Sequence, residues 1–318
     1  MKKIPIDSFV LAIVLVVILA FVFPHIASWL PIDSIASYGV SLIFFFYGLK
    51  LSLEKIVSGL SNWKLHLLVQ SSTFLLFPIL IILAKPMFSL LHADLMWLSF
   101  FFLAALPSTV SSSVVMVSMA KGNIPAAIFN ASISGLIGVV LTPLWMSLFL
   151  KQQGGEYDLS SVYFKLLVEI LLPICLGLIL QRFWGRYAQK YAKQLSLFDK
   201  AIILLIIYKS FVVSFQEKVF ESVSVMQLVV VFVLILCLFY TVFYFVGFIA
   251  KRLKFTDEDI IVAQYCGTKK SLVHGTVFSK VLFPASSPHG LILLPLMIFH
   301  AMQIFVISLM VAKKGKEN

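Results

Sequence analysis

Apolar runs long enough to cross a bilayer recur along the whole chain, and they constrain the fold more than any other feature of the sequence. A spanning helix needs about 20 predominantly apolar residues. Such runs lie at residues 8–23, 34–49, 65–83, 95–120, 124–150, 160–181, 197–215, 225–250, 258–282 and 289–312. They predict an all-α membrane protein of ten transmembrane helices, with no room for a water-soluble domain. Hydrophobic residues make up 61% of the chain and charged residues 12%, against about half and about a quarter in soluble domains. That leaves too little polar surface to face water.

The formal charge of +11 does not point to nucleic acid, because the Lys and Arg residues cluster between the runs and form no recognition motif. With the N-terminus in the cytoplasm, one side holds Lys2, Lys3, Lys50, Lys55, Lys64, Lys121, Arg182, Arg186, Lys190, Lys193, Lys200, Lys251, Arg252, Lys254, Lys313, Lys314 and Lys316. The other side holds only Lys85, Lys151, Lys218 and Lys280. This positive-inside bias predicts a multi-pass protein of the cell inner (plasma) membrane with both termini cytoplasmic. Lys2-Lys3 before Phe9–Phe23 has the outline of a signal peptide, but Pro24-His25 stand where a small-x-small cleavage site would, so an uncleaved first helix is expected. The longest expected connection is the polar stretch Arg182–Lys200.

Cys175, Cys237 and Cys266 lie in apolar runs without CxxC or metal-ligand spacing, so neither a disulfide framework nor a zinc site is indicated. No catalytic triad, GxSxG, HExxH, phosphate loop or dinucleotide fingerprint occurs. No enzyme is expected on these grounds, and a single-chain ATP-driven pump is excluded.

Two runs differ from plain spans. The fourth carries Leu106-Pro107-Ser108-Thr109-Val110-Ser111-Ser112-Ser113, and the ninth Gln264-Tyr265-Cys266-Gly267-Thr268-Lys269-Lys270-Ser271. Proline or glycine beside dense polar residues at mid-membrane marks a discontinuous helix. Each is the fourth run of its half, which is the pattern of a five-plus-five inverted repeat spanning residues 1–150 and 151–318. Thr109–Val114 resembles Thr268–Val273, and the following runs share Leu141-Thr142-Pro143-Leu144 and Leu294-Pro295-Leu296.

These motifs, with Val114-Val115-Met116, Lys121-Gly122-Asn123, Asn130-Ala131-Ser132-Ile133-Ser134 and Pro295–Gln303, make the chain similar to the bile acid:sodium symporter family, and most of all to its cotransporter 7-like branch. The resemblance implies a core domain with two crossed broken helices and a panel domain that moves against it. In sodium-coupled members, polar residues after the fourth-helix proline and a ninth-helix glutamate help to bind Na+. Those positions fall here on Ser111, Ser112, Ser113 and Gln264, followed by Thr268 and Lys269. The ninth-helix break lacks the carboxylate and has two lysines instead.

The expected substrate and ion site therefore comprises Ser108, Thr109, Ser111, Ser112, Ser113, Gln264, Thr268, Lys269, Lys270 and Ser271, with Asn130, Ser132 and Ser134 beside it. Hydroxyls and freed carbonyls suit a small hard cation, and half-helix N-termini suit an anion. A lysine at membrane depth needs a partner or a wet cavity, unless it snorkels to an interface. Glu169 is either a counter-ion or cation ligand, or the partner of Lys165 at i, i+4. Gln70, His274, His300 and Gln303 are weaker cavity candidates, each open to a packing role.

These readings converge on a secondary-active transporter working by alternating access, with a small organic anion as substrate and the lipid bilayer as its surroundings. Three mechanisms remain: Na+-coupled symport; a Na+-independent or proton-linked carrier in which Lys269 or Lys270 takes the ion's role; and a non-transporting membrane regulator of ion homeostasis.

Overall fold

The computed structural model describes residues 8–25, 31–50, 62–109, 111–150, 164, 167–216, 218, 224–284 and 286–314. Every regular element among them is helical. In chain order they are α1 (Ser8–Val22), α2 (Ile32–Lys50), α3 (Trp63–Leu90), α4 (Asp94–Ala105), α5 (Ser111–Met119), α6 (Ile124–Leu150), α7 (Leu167–Lys190), α8 (Ala192–Gln216), α9 (Val225–Arg252), α10 (Asp257–Gly267), α11 (Leu272–Leu282) and α12 (His289–Lys314).

Local chemistry sets several of their ends. The Ser224 hydroxyl accepts from the Gln227 N–H while the Gln227 side chain accepts from the Ser224 N–H, a capping box that opens α9. Thr256 caps α10, whose first turn carries Asp257, Glu258 and Asp259 at its positive end. Asp259 is itself buried and accepts from Asn62 Nδ2 (2.6 Å) and Asn123 Nδ2 (2.9 Å), which ties the starts of α3, α6 and α10 together.

Helices α3, α6, α7, α9 and α12 are long and apolar enough to cross a bilayer, and α1, α2 and α4 are shorter apolar helices. Large apolar side chains are exposed along them, among them Leu15, Phe21, Leu83, Ile179, Val229 and Phe248. A water-soluble monomer rarely shows so much apolar surface, and lipid is its natural solvent. The chain is an all-α membrane protein.

The expected polar connection Arg182–Lys200 is instead almost wholly helical. α7 runs on to Lys190 and α8 begins at Ala192. Hydropathy marks where the lipid ends, whereas Gln, Arg and Lys are good helix formers, so the helices continue past the apolar boundary.

The helices pack in two groups. α1, α2, α7 and α8 pack on one another, while α3–α6 and α9–α12 form the other group. The two meet chiefly where α8 lies against α11 and α12. Within the first group, α2 and α7 approach backbone to backbone at Gly48 and Gly177. A Cβ on Gly177 would lie 2.9 Å from Leu49 N and 3.0 Å from Gly48 Cα. Small residues permit this kind of approach between membrane helices.

Gly177→Val is expected to lower the melting temperature in detergent, with an overpacking cost of about 1–3 kcal/mol. Gly185→Ala, whose new methyl would meet the flexible Gln181 side chain at 3.0 Å and Leu49 O at an ordinary contact distance of 3.6 Å, leaves it unchanged or raised. Equal melting temperatures for the two variants would contradict the close approach.

Candidate functional site

Pro107 ends α4, and the chain runs without helix through Ser108 and Thr109 before α5 starts. The α10–α11 connection, Thr268 to Ser271, is the second interruption. Buried backbone groups freed in this way need new partners, and much of the geometry of the site follows from how they find them. Ser108 N–H, which an unbroken helix would give to Ala104, goes to Ser134 Oγ (2.9 Å). Ala105 O accepts from Thr142 Oγ1 (2.7 Å). The interruptions also serve each other: Ser271 N–H donates to Pro107 O (2.9 Å), and Ser108 Oγ donates to Cys266 O (2.8 Å). Ser72 Oγ reaches Gly267 O (2.8 Å) from α3.

Lys270 answers the remaining carbonyls. Its Nζ donates to Thr73 O (2.7 Å), Ala104 O (2.6 Å) and Leu106 O (2.9 Å), and lies 4.3 Å from the centroid of the Phe77 ring. Thr73 O is open for a local reason. α3 takes a π turn over Ser72–Leu76, in which Phe77 N–H bonds Ser72 O. The next residue, Pro78, has no N–H to offer Thr73. Phe74 O, left over where the helix returns from π to α register, accepts from Trp145 Nε1 (2.8 Å). Three donors thus meet three acceptors, two of them at the negative end of α4.

Lys270 is fully buried, and among the described residues no carboxylate pairs with it. A charge at this depth costs at least about 2.5–3.5 kcal/mol. Hydrogen bonds to a charged group return about 1.5–3 kcal/mol each, so three of them suffice to hold the ammonium there. Its backbone is fixed as well: Lys270 N–H donates to Gln303 Oε1 and Gln303 Nε2 donates to Lys270 O, both at 3.0 Å. The Gln303 amide therefore pairs with the break as a second peptide unit would, and it also contacts His300 Nδ1 (3.1 Å).

A cavity of about 450 Å³ lies on the other side of the interruptions. Thr109, Ser112, Ser271, His274 and His300 are among its polar lining, and α5 and α11 begin at its wall. Its apolar lining includes Ile43, Phe44, Val115, Met116 and Ile304. Lys50, Ser196, Asp199 and Lys200 line the end formed by α2 and α8. Neither Lys269 nor Lys270 lines this cavity among the described residues, although both are fully buried.

The expected site residues divide accordingly. Thr109 Oγ1 is bonded to Ser112 Oγ (2.6 Å) and Ser113 Oγ (3.2 Å). Ser111 opens α5, and its side chain lies outside the described residues. Ser271 caps α11 and contacts His274 Nδ1 (2.9 Å), while His274 Nε2 is buried with no hydrogen-bond partner. Ser132 lines the cavity, and its carbonyl accepts from the Tyr47 hydroxyl (2.6 Å). Asn130 stands apart in a cluster with His66 Nδ1 (2.9 Å) and Gln70, whose Nε2 donates to Asn130 O (3.1 Å) and Asn130 Oδ1 (3.2 Å).

Gln264 is not brought to the serines. Its Nε2 donates to Phe243 O on α9 (3.2 Å), in the space left by Gly247, while Thr268 Oγ1 donates back to Gln264 O (2.5 Å). Glu169 is half-buried in the first π turn of α7 and away from the cavity wall, and Lys165 lies outside the described residues. Sequence reasoning missed Thr73, Tyr47, His66, Lys50, Asp199 and Lys200. A π turn is often a functional mark, and the run Ser71-Ser72-Thr73 before Pro78 was its only trace.

Replacing Gln303 by Leu leaves the Lys270 N–H and C=O unpaired in the core. Each such group costs about 1–3 kcal/mol, so Gln303→Leu is expected to lower the thermal midpoint markedly. An unchanged midpoint would show that the amide pairing contributes nothing.

The model of the SBF-like CPA transporter family matches residues 7–315. The uncharacterized protein PA2026 of Pseudomonas aeruginosa is 35% identical over 313 residues, covering 98% of this chain and 94% of that protein. Sodium/bile acid cotransporter 7-B of Xenopus laevis is 30% identical over 312 residues, covering 96% and 90%. Sodium/bile acid cotransporter 7 of Danio rerio is also 30% identical over 312 residues, covering 96% and 92%. The likeness read from the motifs is borne out over nearly the whole length: this chain belongs to the SBF-like CPA transporter family, and it is a multi-pass membrane transporter rather than an enzyme.

Proposed function

We propose that the protein is an alternating-access carrier of an organic anion in which the Lys270 ammonium occupies the position of a coupling cation, so that transport does not require sodium. The observation that carries this reading is the seat of the ammonium on three backbone carbonyls. Discontinuous helices use such carbonyls and half-helix C-termini to coordinate Na+. An amine already fills this place, and the ninth-helix break has no carboxylate to hold a second cation.

Ten spans, arranged as a five-plus-five repeat over residues 1–150 and 151–318, fit the two interruptions and the two packing groups. The first group takes the first two helices of each half, and the second group takes the rest. The cavity between the groups would be the substrate site, reaching the side that the positive-inside bias assigns to the cytoplasm of a plasma membrane. An anion is favoured because α5 and α11 both start at the cavity wall, and helix N-termini attract negative charge.

The runner-up is sodium-coupled symport, in line with the names of the relatives and with the hydroxyls of Thr109, Ser112 and Ser113. Thermal unfolding with NaCl or choline chloride at constant ionic strength separates the two. The wild-type midpoint is expected to be the same in both salts. Lys270→Ala is expected to lose about 3–5 kcal/mol, as when one side of a buried charged contact is removed, and to recover part of it in sodium alone. Sodium at 100 times its Kd would add about 2.7 kcal/mol, so a sodium-specific rise in the wild type would overturn this reading in favour of symport.

A further inference from the structure

The cations that face the cavity are not those of the interruption. Lys270 spends all three of its donors on carbonyls outside the cavity, whereas Lys50 and Lys200 line it at the end formed by α2 and α8. The charges at that end do not cancel. Asp199 is the one carboxylate on the cavity wall among the described residues. Its Oδ2 meets Lys50 Nζ at 3.3 Å, longer than the roughly 2.7–2.9 Å of a well-formed charge-assisted bond. Asp199 Oδ1 is buried with no hydrogen-bond partner. Lys200 Nζ lies 5.2 Å from the Phe9 ring centroid and has no carboxylate partner among the described residues. Two ammonium groups and a single carboxylate, loosely held by Lys50 alone, thus line this part of the cavity.

We propose that this end is a second anion subsite, and that the substrate carries an acidic group at each end of an apolar body. One group would sit at the starts of α5 and α11. The other would sit between Lys50 and Lys200, with Asp199 as the resident acceptor that gives way to it. The apolar part of the lining, with Phe44, Val115 and Ile304, matches the body of such a molecule. An internal carboxylate held at 3.3 Å is a suitable stand-in: it limits the unpaired charge of the empty cavity and is readily displaced. This inference rests on the organic-anion reading above and adds the number and placement of the acidic groups.

The test is isothermal titration calorimetry of the full chain in a non-ionic detergent at fixed ionic strength. The probes are α,ω-dicarboxylates of six to ten carbons and the monocarboxylates of equal length. In the wild type the best-fitting dicarboxylate is expected to bind about tenfold more tightly than its monocarboxylate, the ratio that one further charge-assisted contact supplies. The Lys50→Gln/Lys200→Gln double variant is expected to lose this advantage but keep its monocarboxylate affinity, which also shows that it is folded. Asp199→Asn, with the competing carboxylate gone, is expected to widen the advantage.

Equal binding of both series by the wild type would overturn the second subsite and leave the organic-anion reading standing. So would a double variant that retains the dicarboxylate advantage. Failure of both series to bind the wild type would overturn the organic-anion reading and this inference together.

Discussion

The contact between the Lys270 ammonium and three backbone carbonyls is the constraint on which the centre of this protein depends. A membrane interior offers freed carbonyls no water. The chain nevertheless interrupts one helix at Pro107, another at Thr268, and shifts the register of a third before Pro78. One amine gathers an acceptor from two of these irregularities, Thr73 from α3 and Ala104 and Leu106 from the end of α4. Gln303 holds the lysine's own backbone from α12. Four separate segments are therefore fastened at one residue, and the serine and threonine hydroxyls around it complete the same accounting for Ala105, Cys266 and Gly267.

Much of this was legible in the sequence because membrane-depth polarity is costly and so stands out. Pro107 with its hydroxyl cluster, and Gly267 with its lysines, could be read as interruptions without any tertiary information. Lys270, Ser271 and Gln303 were legible for the same reason. What stayed hidden depends on direction and register. Thr73 contributes a carbonyl rather than its hydroxyl, and that carbonyl is open only because a π turn precedes a proline. Gln264 looked like a ligand by position along the chain, but it turns toward α9, where Gly247 leaves room for it.

The residues Lys50, Asp199 and Lys200 were hidden differently. Each sits where an apolar run ends, and a charge in such a place is ordinarily a solvated anchor at the bilayer surface. The helical continuation through Arg182–Lys200 sets Asp199 against Lys50 of α2 and Lys200 against Phe9 of α1. Hydropathy has no term for that, because it locates the lipid boundary and not the end of the helix.

The amine differs from a free ion in one thermodynamic respect. A sodium ion released on the far side of a membrane carries its electrochemical potential with it, and that difference is what allows a carrier to concentrate a solute. An ammonium joined to Cα of Lys270 through four methylenes returns with the protein at the end of every cycle. While it keeps its proton, it contributes no work term at all, whatever the sodium gradient outside. On the proposed reading, and with the proton retained, a carrier built on this centre would move its substrate only down the combined gradient of concentration and voltage that the substrate itself experiences.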